Sequence, residues 1–319
     1  MATDTLIYGA GPAGCIAATW LAQAGRPVAL LHKPPRTPLC RIESLGPDIL
    51  PLINKIGLHK QWLNDLALPI PGTISRWSSD KIEYHDAVMS PHGHAWSVHR
   101  QHFDSKLLDY AKRNGVTIVD KKIPSQRQLI ATGSDLLPNG IVHDKLVALT
   151  RNYTHLPLAD KRLRIEAVPQ GWWYAIPARN NTFGLGFVTD RQMLLNQSPQ
   201  QLWNQALPDS LALLLIPSSV KASPIRSYPV RCAISKLQSN RIGNARASYD
   251  PLTGRGTAEA VKNALTTVSL QTQDRSNYQL DLDHQYSDYL TKRHHLYLAA
   301  ERRFQTKFWS RRIATLTTS

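Results

Sequence analysis

Six residues near the N-terminus, Gly9-Ala10-Gly11-Pro12-Ala13-Gly14, restrict the fold of this chain more than any other segment. They follow the β-prone run Thr5-Leu6-Ile7-Tyr8 and lead into residues 16–24, an Ala-rich stretch with helical spacing. Gly25 is suited to close that helix, and residues 27–31 resume a strand. The order strand, turn, helix, strand predicts a βαβ start and therefore a parallel sheet with right-handed crossovers. In that setting G-x-G-x-x-G is the dinucleotide-binding turn. The first glycine allows the tight bend, the second lets backbone approach a pyrophosphate, and the third lets helix and strand pack closely. Free N–H groups and the positive dipole end of the helix then face the phosphates. Gly9, Gly11, Pro12, Ala13 and Gly14 are accordingly candidate cofactor-binding positions.

At the end of the second strand, where an acidic residue ordinarily accepts hydrogen bonds from a ribose, the chain carries His32-Lys33. His32 is able to bond a ribose and Lys33 to favour a phosphate-bearing ligand, so both join the candidate positions.

Further along, residues 48–57 read as a helix with Ile49, Leu52, Ile53 and Ile56 on one face, and residues 103–113 as an amphipathic helix ended by Asn114-Gly115. Residues 72–96 alternate as antiparallel strands do. Residues 146–190 suggest antiparallel sheet with Trp172-Trp173-Tyr174 at a strand centre. Helices are expected over 198–215, 257–268 and, as one long element, 286–309. The resulting expectation is an α/β protein in three parts. Residues 1–70, 98–145 and 235–275 form a discontinuous Rossmann-like cofactor domain, 71–97 and 146–234 an antiparallel-sheet substrate domain, and 276–319 a helical C-terminal segment.

Lys and Arg outnumber Asp and Glu 38 to 23, a formal charge of +15. Such a surplus attracts anions and speeds encounter with acidic partners. The basic residues are scattered without a long run, which argues against nucleic acid and for an anionic cofactor with an acidic protein partner. No stretch nears the roughly 20 apolar residues that cross a bilayer, and the chain enters strand-like sequence at once, so a cytoplasmic protein without membrane contact is expected. Cys15, Cys40 and Cys232 lie far apart and read as reduced packing thiols. His92, His94 and His99, and the pair His294-His295, have no carboxylate or cysteine at ligand spacing, so no metal is expected.

A second glycine-rich region, Arg241-Ile242-Gly243-Asn244-Ala245 followed by Asp250-Pro251-Leu252-Thr253-Gly254-Arg255-Gly256, opens the helix at 257–268. It resembles the second flavin-binding fingerprint of FAD-dependent aromatic hydroxylases and flavin-dependent halogenases. In that fingerprint a G-D-A segment meets the ribityl chain and pyrophosphate, and a P-x-x-G-x-G turn meets the flavin's pyrimidine edge. The resemblance implies FAD as cofactor, held by Gly243, Asn244, Pro251, Thr253, Gly254 and Gly256, with Asn244 in place of the usual aspartate. A helix N-terminus there suits the negative charge of a reduced flavin. Arg100-Gln101-His102-Phe103-Asp104, with Leu107, is similar to the R-x-x-F-D-x-x-L element of the same families. Arg41-Ile42-Glu43-Ser44-Leu45 is similar to R-I-G-E-S-L without its glycine, and Ala131-Thr132-Gly133 to the A-T-G turn that closes the sheet. By that resemblance Arg41, Arg100 and Gly133 are also cofactor-binding positions. The resemblance runs in family order from residue 5 to about 312.

Gly171-Trp172-Trp173-Tyr174-Ala175-Ile176-Pro177 separates the chemistries. Halogenases carry G-W-x-W-x-I-P and need a lysine that relays the oxidant. Here Tyr174 replaces the second tryptophan, and residues 66–77 contain no lysine. The motif, with Gly72-Thr73 and the closing Phe308-Trp309, looks more like the maturation flavoproteins of tryptophylquinone-dependent amino-acid oxidases. That likeness implies FAD-dependent hydroxylation of an aromatic substrate, a tryptophan of a precursor oxidase, with Trp172, Trp173 and Tyr174 around the substrate. An external or nicotinamide electron donor would reduce the flavin. Two alternatives stay open: a flavin-dependent halogenase, and a flavin-poor binding or chaperone protein of the same fold. The residue types name no catalytic side chain.

Overall fold

The computed structural model describes residues 3–34, 40–90, 93–133, 140–154, 160–207, 221–235, 240–270 and 272–314. The β-prone start becomes β1 (Thr3–Tyr8), the Ala-rich stretch α1 (Pro12–Gln23) and the resumed run β2 (Val28–Leu31). β3 (Ile42–Leu45), α2 (Ile49–Asn54), α3 (Lys60–Leu66), β4 (Ala67–Ile70), β5 (Gly72–Arg76), β6 (Glu83–Asp86) and β7 (Ala95–His99) follow. α4 (Arg100–Arg113), β8 (Thr117–Val119) and β9 (Ser125–Ile130) complete the first half.

Strands β8, β2, β1 and β9 form a parallel sheet in that order. β1 is covered on both faces, with Leu6 and Ile7 fully buried, as a central parallel strand requires. Cys15, Ile16, Ala17, Ala18 and Leu21 of α1 are buried too, and the small side chains let the helix lie close to its neighbours. A three-stranded antiparallel sheet, β3-β7-β4, stands beside this layer.

The second half supplies the long strand β10 (Gly140–Tyr153), β11 (Leu163–Val168), β12 (Gly171–Ala178), β13 (Thr182–Asp190), α5 (Pro199–Ala206), β14 (Arg226–Ser235) and β15 (Ala247–Ser248). Three helices close the chain: α6 (Gly256–Ser269), α7 (Thr272–Phe304) and α8 (Lys307–Ala314). An eight-stranded sheet, ordered β15-β14-β10-β13-β12-β11-β5-β6, is antiparallel except where β5 pairs parallel with β11. α6 packs on α1 through Ala258, Val261, Ala264 and Leu265, joining the last third of the chain to the first.

Several details differ from the sequence reading. α5 ends at Ala206, and the rest of the helix expected over 198–215 lies outside the described residues from 208 onward. The C-terminal helix is two elements, broken where Gln305 takes φ +49. β10 passes as one strand through the boundary expected at 145/146, and β7 leaves the large sheet to pair with β3 and β4.

Candidate functional site

The first glycine turn is built to contact distance. A Cβ on Gly14 would lie 2.0 Å from the Gly9 carbonyl oxygen, so the turn closes only around glycine. Gly9 has φ +108 and a Cβ there would lie 2.5 Å from the carbonyl oxygen of Ala131, which ties the A-T-G segment to this turn. Beside Gly11 there is open space, as a backbone meant to approach a ligand needs. α1 starts with Pro12 at its first position and has no side-chain cap among the described residues, leaving its leading N–H groups to a ligand. The Cys15 thiol donates to Ala10 O at 3.2 Å. Burial above all, with Asp104 adding to it, pushes that thiol's pKa far up, so it stays neutral and structural.

The second glycine region joins the first directly. Gly243 has φ +62, and a Cβ on it would lie 2.5 Å from Ala13 Cβ. Its N–H donates to Asn263 Oδ1 at 2.7 Å, and Ile242 N–H donates to Ile130 O at 2.9 Å. Gly254, φ +62, ends a one-turn 3-10 helix (Pro251–Thr253) and sits against Ser44, whose Oγ would be 3.2 Å from an added Cβ. Gly46 faces Arg255. Four of the five segments of the resemblance thus meet, Gly9 with Ala131, Ala13 with Gly243 and Ser44 with Gly254, and the fifth joins through Arg100 and Glu43. α6 begins at Gly256, also without a side-chain cap.

Among the described residues, Asn244 Oδ1 is buried with no hydrogen-bond partner. A buried acceptor without a donor costs free energy unless a ligand group supplies one. Together with the open Gly11 and two uncapped helix starts, this residue set fits an extended, pyrophosphate-bearing cofactor. Gly133, φ +80, completes the turn after β9.

Arg41 and Arg100 are occupied within the protein. Arg100 is buried and donates to Glu43 at 2.5 Å and to Asp104 at 3.0 and 3.1 Å. Arg41 pairs with Glu43 and lies 5.0 Å over the Tyr228 ring. Burial pushes the Glu43 carboxyl up, but the two guanidinium groups outweigh it and hold it below its usual range. Asp104 goes the other way, because for it burial outweighs Arg100.

His32 sits where β2 ends, its N–H donating to Val119 O at 2.9 Å. With Pro34, Ile118, Val119, Asp120, Lys121 and Ile123 it lines a cavity of about 400 Å³ at the C-terminal edge of the parallel sheet. Ligands of open α/β sheets bind at that edge. Burial first, then Lys112, lowers the His32 pKa, so the ring is neutral at neutral pH. Lys33 is exposed beside it.

On β12 the side chains alternate, and the three aromatics do not share one pocket. Trp173 stacks on Phe187 (4.7 Å) and meets Trp203 of α5 edge-on (4.8 Å) in a core on one face. Trp172 and Tyr174 point to the other face, 5.8 Å apart. There Trp172 donates to the Tyr297 hydroxyl at 3.3 Å and borders Trp77. Tyr174 lies on Gly186, where a Cβ would be 2.1 Å from its ring. Burial, modified by Arg41 and Glu43, holds the Tyr174 phenol protonated. Tyr174 is therefore the aromatic of the three that packs toward Ile42 of β3, while Trp172 packs against α7 and α8. Among the described residues no group of three or more His, Cys, Asp or Glu is arranged to hold a metal, and no helix is long and apolar enough to cross a membrane. His92 lies outside the described residues.

No family model matches the chain. Over 124 residues it is 36% identical to the flavin-dependent halogenase armH3 of Armillaria mellea, a match that covers 38% of this chain and only 24% of that protein. The solved structure of CmlS, a flavin-dependent halogenase, matches 99% of this chain and 70% of its own at TM-score 0.83 and 19% identity. QhpG, a peptidyl tryptophan dihydroxylase essential for tryptophylquinone cofactor biogenesis, matches 98% of this chain and 79% of its own at TM-score 0.76 and 18% identity. The chain resembles the flavin-dependent halogenases in sequence, and both halogenases and flavin monooxygenases in fold. FAD is the cofactor that these relatives indicate, and the glycine turns fit it.

Sequence reasoning overlooked three groups here. Asp120 enters the cavity beside His32 because β8 pairs with β2, Leu31 opposite Val119. Asn263 caps the Gly243 turn from one helix away. Asp250, seen only as part of a motif, is gripped by α7. The only signal for the last was the spacing of Tyr289, Arg293 and Tyr297, four apart.

Proposed function

We propose that this protein is an FAD-dependent oxygenase that hydroxylates an aromatic substrate, a tryptophan side chain of a partner protein. The observation that carries the reading is the Gly243–Ala13 junction, which brings the start of α1 against the second glycine region that leads into α6, with no side-chain cap on either helix among the described residues. When bound, FAD supplies activation of O₂ after reduction by an external or nicotinamide donor. The likeness to a peptidyl tryptophan dihydroxylase supports a protein substrate, and the +15 charge suits an acidic one.

The chain's own residues have defined tasks. The N–H groups of α1 and α6 hold the pyrophosphate and the pyrimidine edge. Asn244 offers its free Oδ1 to a cofactor hydroxyl. His32 and Asp120 receive the adenosine ribose, the carboxylate of Asp120 standing in for the acid missing at position 32. Arg41 and Arg100 keep Glu43 and Asp104 paired, so no unbalanced charge stands beside the flavin. Tyr174 packs with Ile42 of β3 and excludes water there.

Halogenation is the second reading, favoured by the identity to armH3. Purified protein, FAD, a reductase and a tryptophan-bearing precursor of a quinone-dependent oxidase decide between them. The proposal expects the tryptophan to gain oxygen, unaffected by halide. A halide-dependent gain of chlorine or bromine would establish halogenation instead, and an unchanged tryptophan mass with a bound flavin would rule out this substrate.

A further inference from the structure

α7 reaches the second glycine turn with one row of side chains. Tyr289, Arg293 and Tyr297, four residues apart and so on one helix face, all end on Asp250, the residue before Pro251. The Tyr289 hydroxyl accepts the Asp250 N–H at 2.6 Å. Arg293 Nε donates to Asp250 Oδ2 at 2.8 Å, and the Tyr297 hydroxyl donates to the same oxygen at 2.7 Å. Oδ1 accepts the Leu252 N–H at 2.9 Å, capping the 3-10 turn from inside. One turn of helix earlier, Tyr286 donates to Ser248 O at 2.9 Å. Asp250 is 1% exposed.

A buried ion pair is a poor way to gain stability, because apolar side chains of the same volume do as well or better; what it offers is fixed geometry. Here the fixed object is the turn Pro251–Gly254. Tyr297 makes one more contact: its oxygen accepts the Trp172 indole N–H. One hydroxyl therefore joins the aromatic strand β12 to the carboxylate that orients the turn.

We propose that Tyr289, Arg293 and Tyr297 are positioning residues that set the Pro251–Gly254 turn against the flavin, and that Tyr297 couples this turn to Trp172. The inference rests on the flavin assignment above. The N–H groups of Leu252, Thr253 and Gly254 are taken up inside the turn, so what the turn does is aim the leading N–H groups of α6, which follow it. Held less firmly, it aims them less well and they stabilise the negative charge of the reduced cofactor less, since preorganised N–H groups act only at short range.

The test is the two-electron midpoint potential of bound FAD in Tyr297→Phe, which keeps the ring and removes the hydroxyl. Tyr289→Phe serves as a second variant. Tyr110→Phe is the control, because its hydroxyl donates to Ile56 O at 2.7 Å, a bond of equal length made to neither turn. The expected result is a three- to tenfold weaker preference for reduced flavin in both α7 variants, a fall of about 15–30 mV. The control should lose comparable melting temperature with an unmoved potential. A Tyr297→Phe protein that folds, binds FAD and keeps the wild-type potential overturns the inference. Should it fail to fold, Tyr289→Phe decides by the same criterion. Wild-type protein that binds no FAD at all instead removes the flavin assignment, and this inference with it.

Discussion

Gly243→Ala places a methyl where two parts of the chain touch, and its cost follows from two separate terms. Position 243 has φ +62, and an L-residue in that region costs about 1–2 kcal/mol more than glycine. The new methyl would also lie 2.5 Å from Ala13 Cβ, whereas carbon atoms rest about 3.5–4.0 Å apart. Something must therefore move by about 1 Å in a packed core, which costs roughly 1–3 kcal/mol. The sum, about 2–5 kcal/mol, is a large fraction of the roughly 5–15 kcal/mol that keeps a domain folded. Urea unfolding of the apoprotein measures it. Ala13→Gly in the same background removes the opposing methyl and should recover the packing term but not the backbone term. A double-mutant cycle is expected to show coupling of about 1–3 kcal/mol between the sites. Coupling below about 0.5 kcal/mol would mean that the two glycine regions do not touch, and the reasoning above would be refuted.

Trp309→Ala should lower stability by about 3–5 kcal/mol in urea unfolding. Its buried ring meets Trp77, Tyr297 and Phe308 and its Nε1 donates to Val168 O at 2.9 Å; a cost under about 1 kcal/mol would contradict that packing. Stability should also fall on mild acidification. Burial foremost lowers the pKa of His32, His94, His99 and His143, aided respectively by Lys112, Lys60, His102 and Arg293. The unfolded chain takes up these protons below its ordinary value of about 6.5 while the folded chain does not, so stability drops as pH falls from about 7 through the depressed folded values. Equal urea midpoints at about pH 8 and about pH 5.5 would count against it.

How much of this was legible beforehand depends on whether backbone or side-chain contacts were at stake. The first turn could be read because its sterics are written as glycines: Gly14 opposite the Gly9 carbonyl tolerates no Cβ. The order of the later fingerprint segments likewise foretold which loops meet. Alternation along β12 was readable, but the layers that cover each face were not, so Trp173 was grouped with Trp172 although α5 packs on one side and α7 and α8 on the other. Asp120 was invisible because strand pairing, not proximity in sequence, brings it to His32. α3 was missed since it spans only Lys60–Leu66, with one buried residue, Leu63, and too short a pattern to stand out. The break at Gln305 left no sequence signal, because a glutamine rarely takes positive φ.

The most direct measurement is titration of the apoprotein with FAD, followed by flavin fluorescence and calorimetry. Two glycine turns clasping one ligand predict saturable binding of one FAD per chain, abolished in Gly14→Val, whose side chain cannot fit against the Gly9 carbonyl. Absence of saturable binding by the folded wild-type chain, or undiminished binding by a folded Gly14→Val chain, would contradict the account.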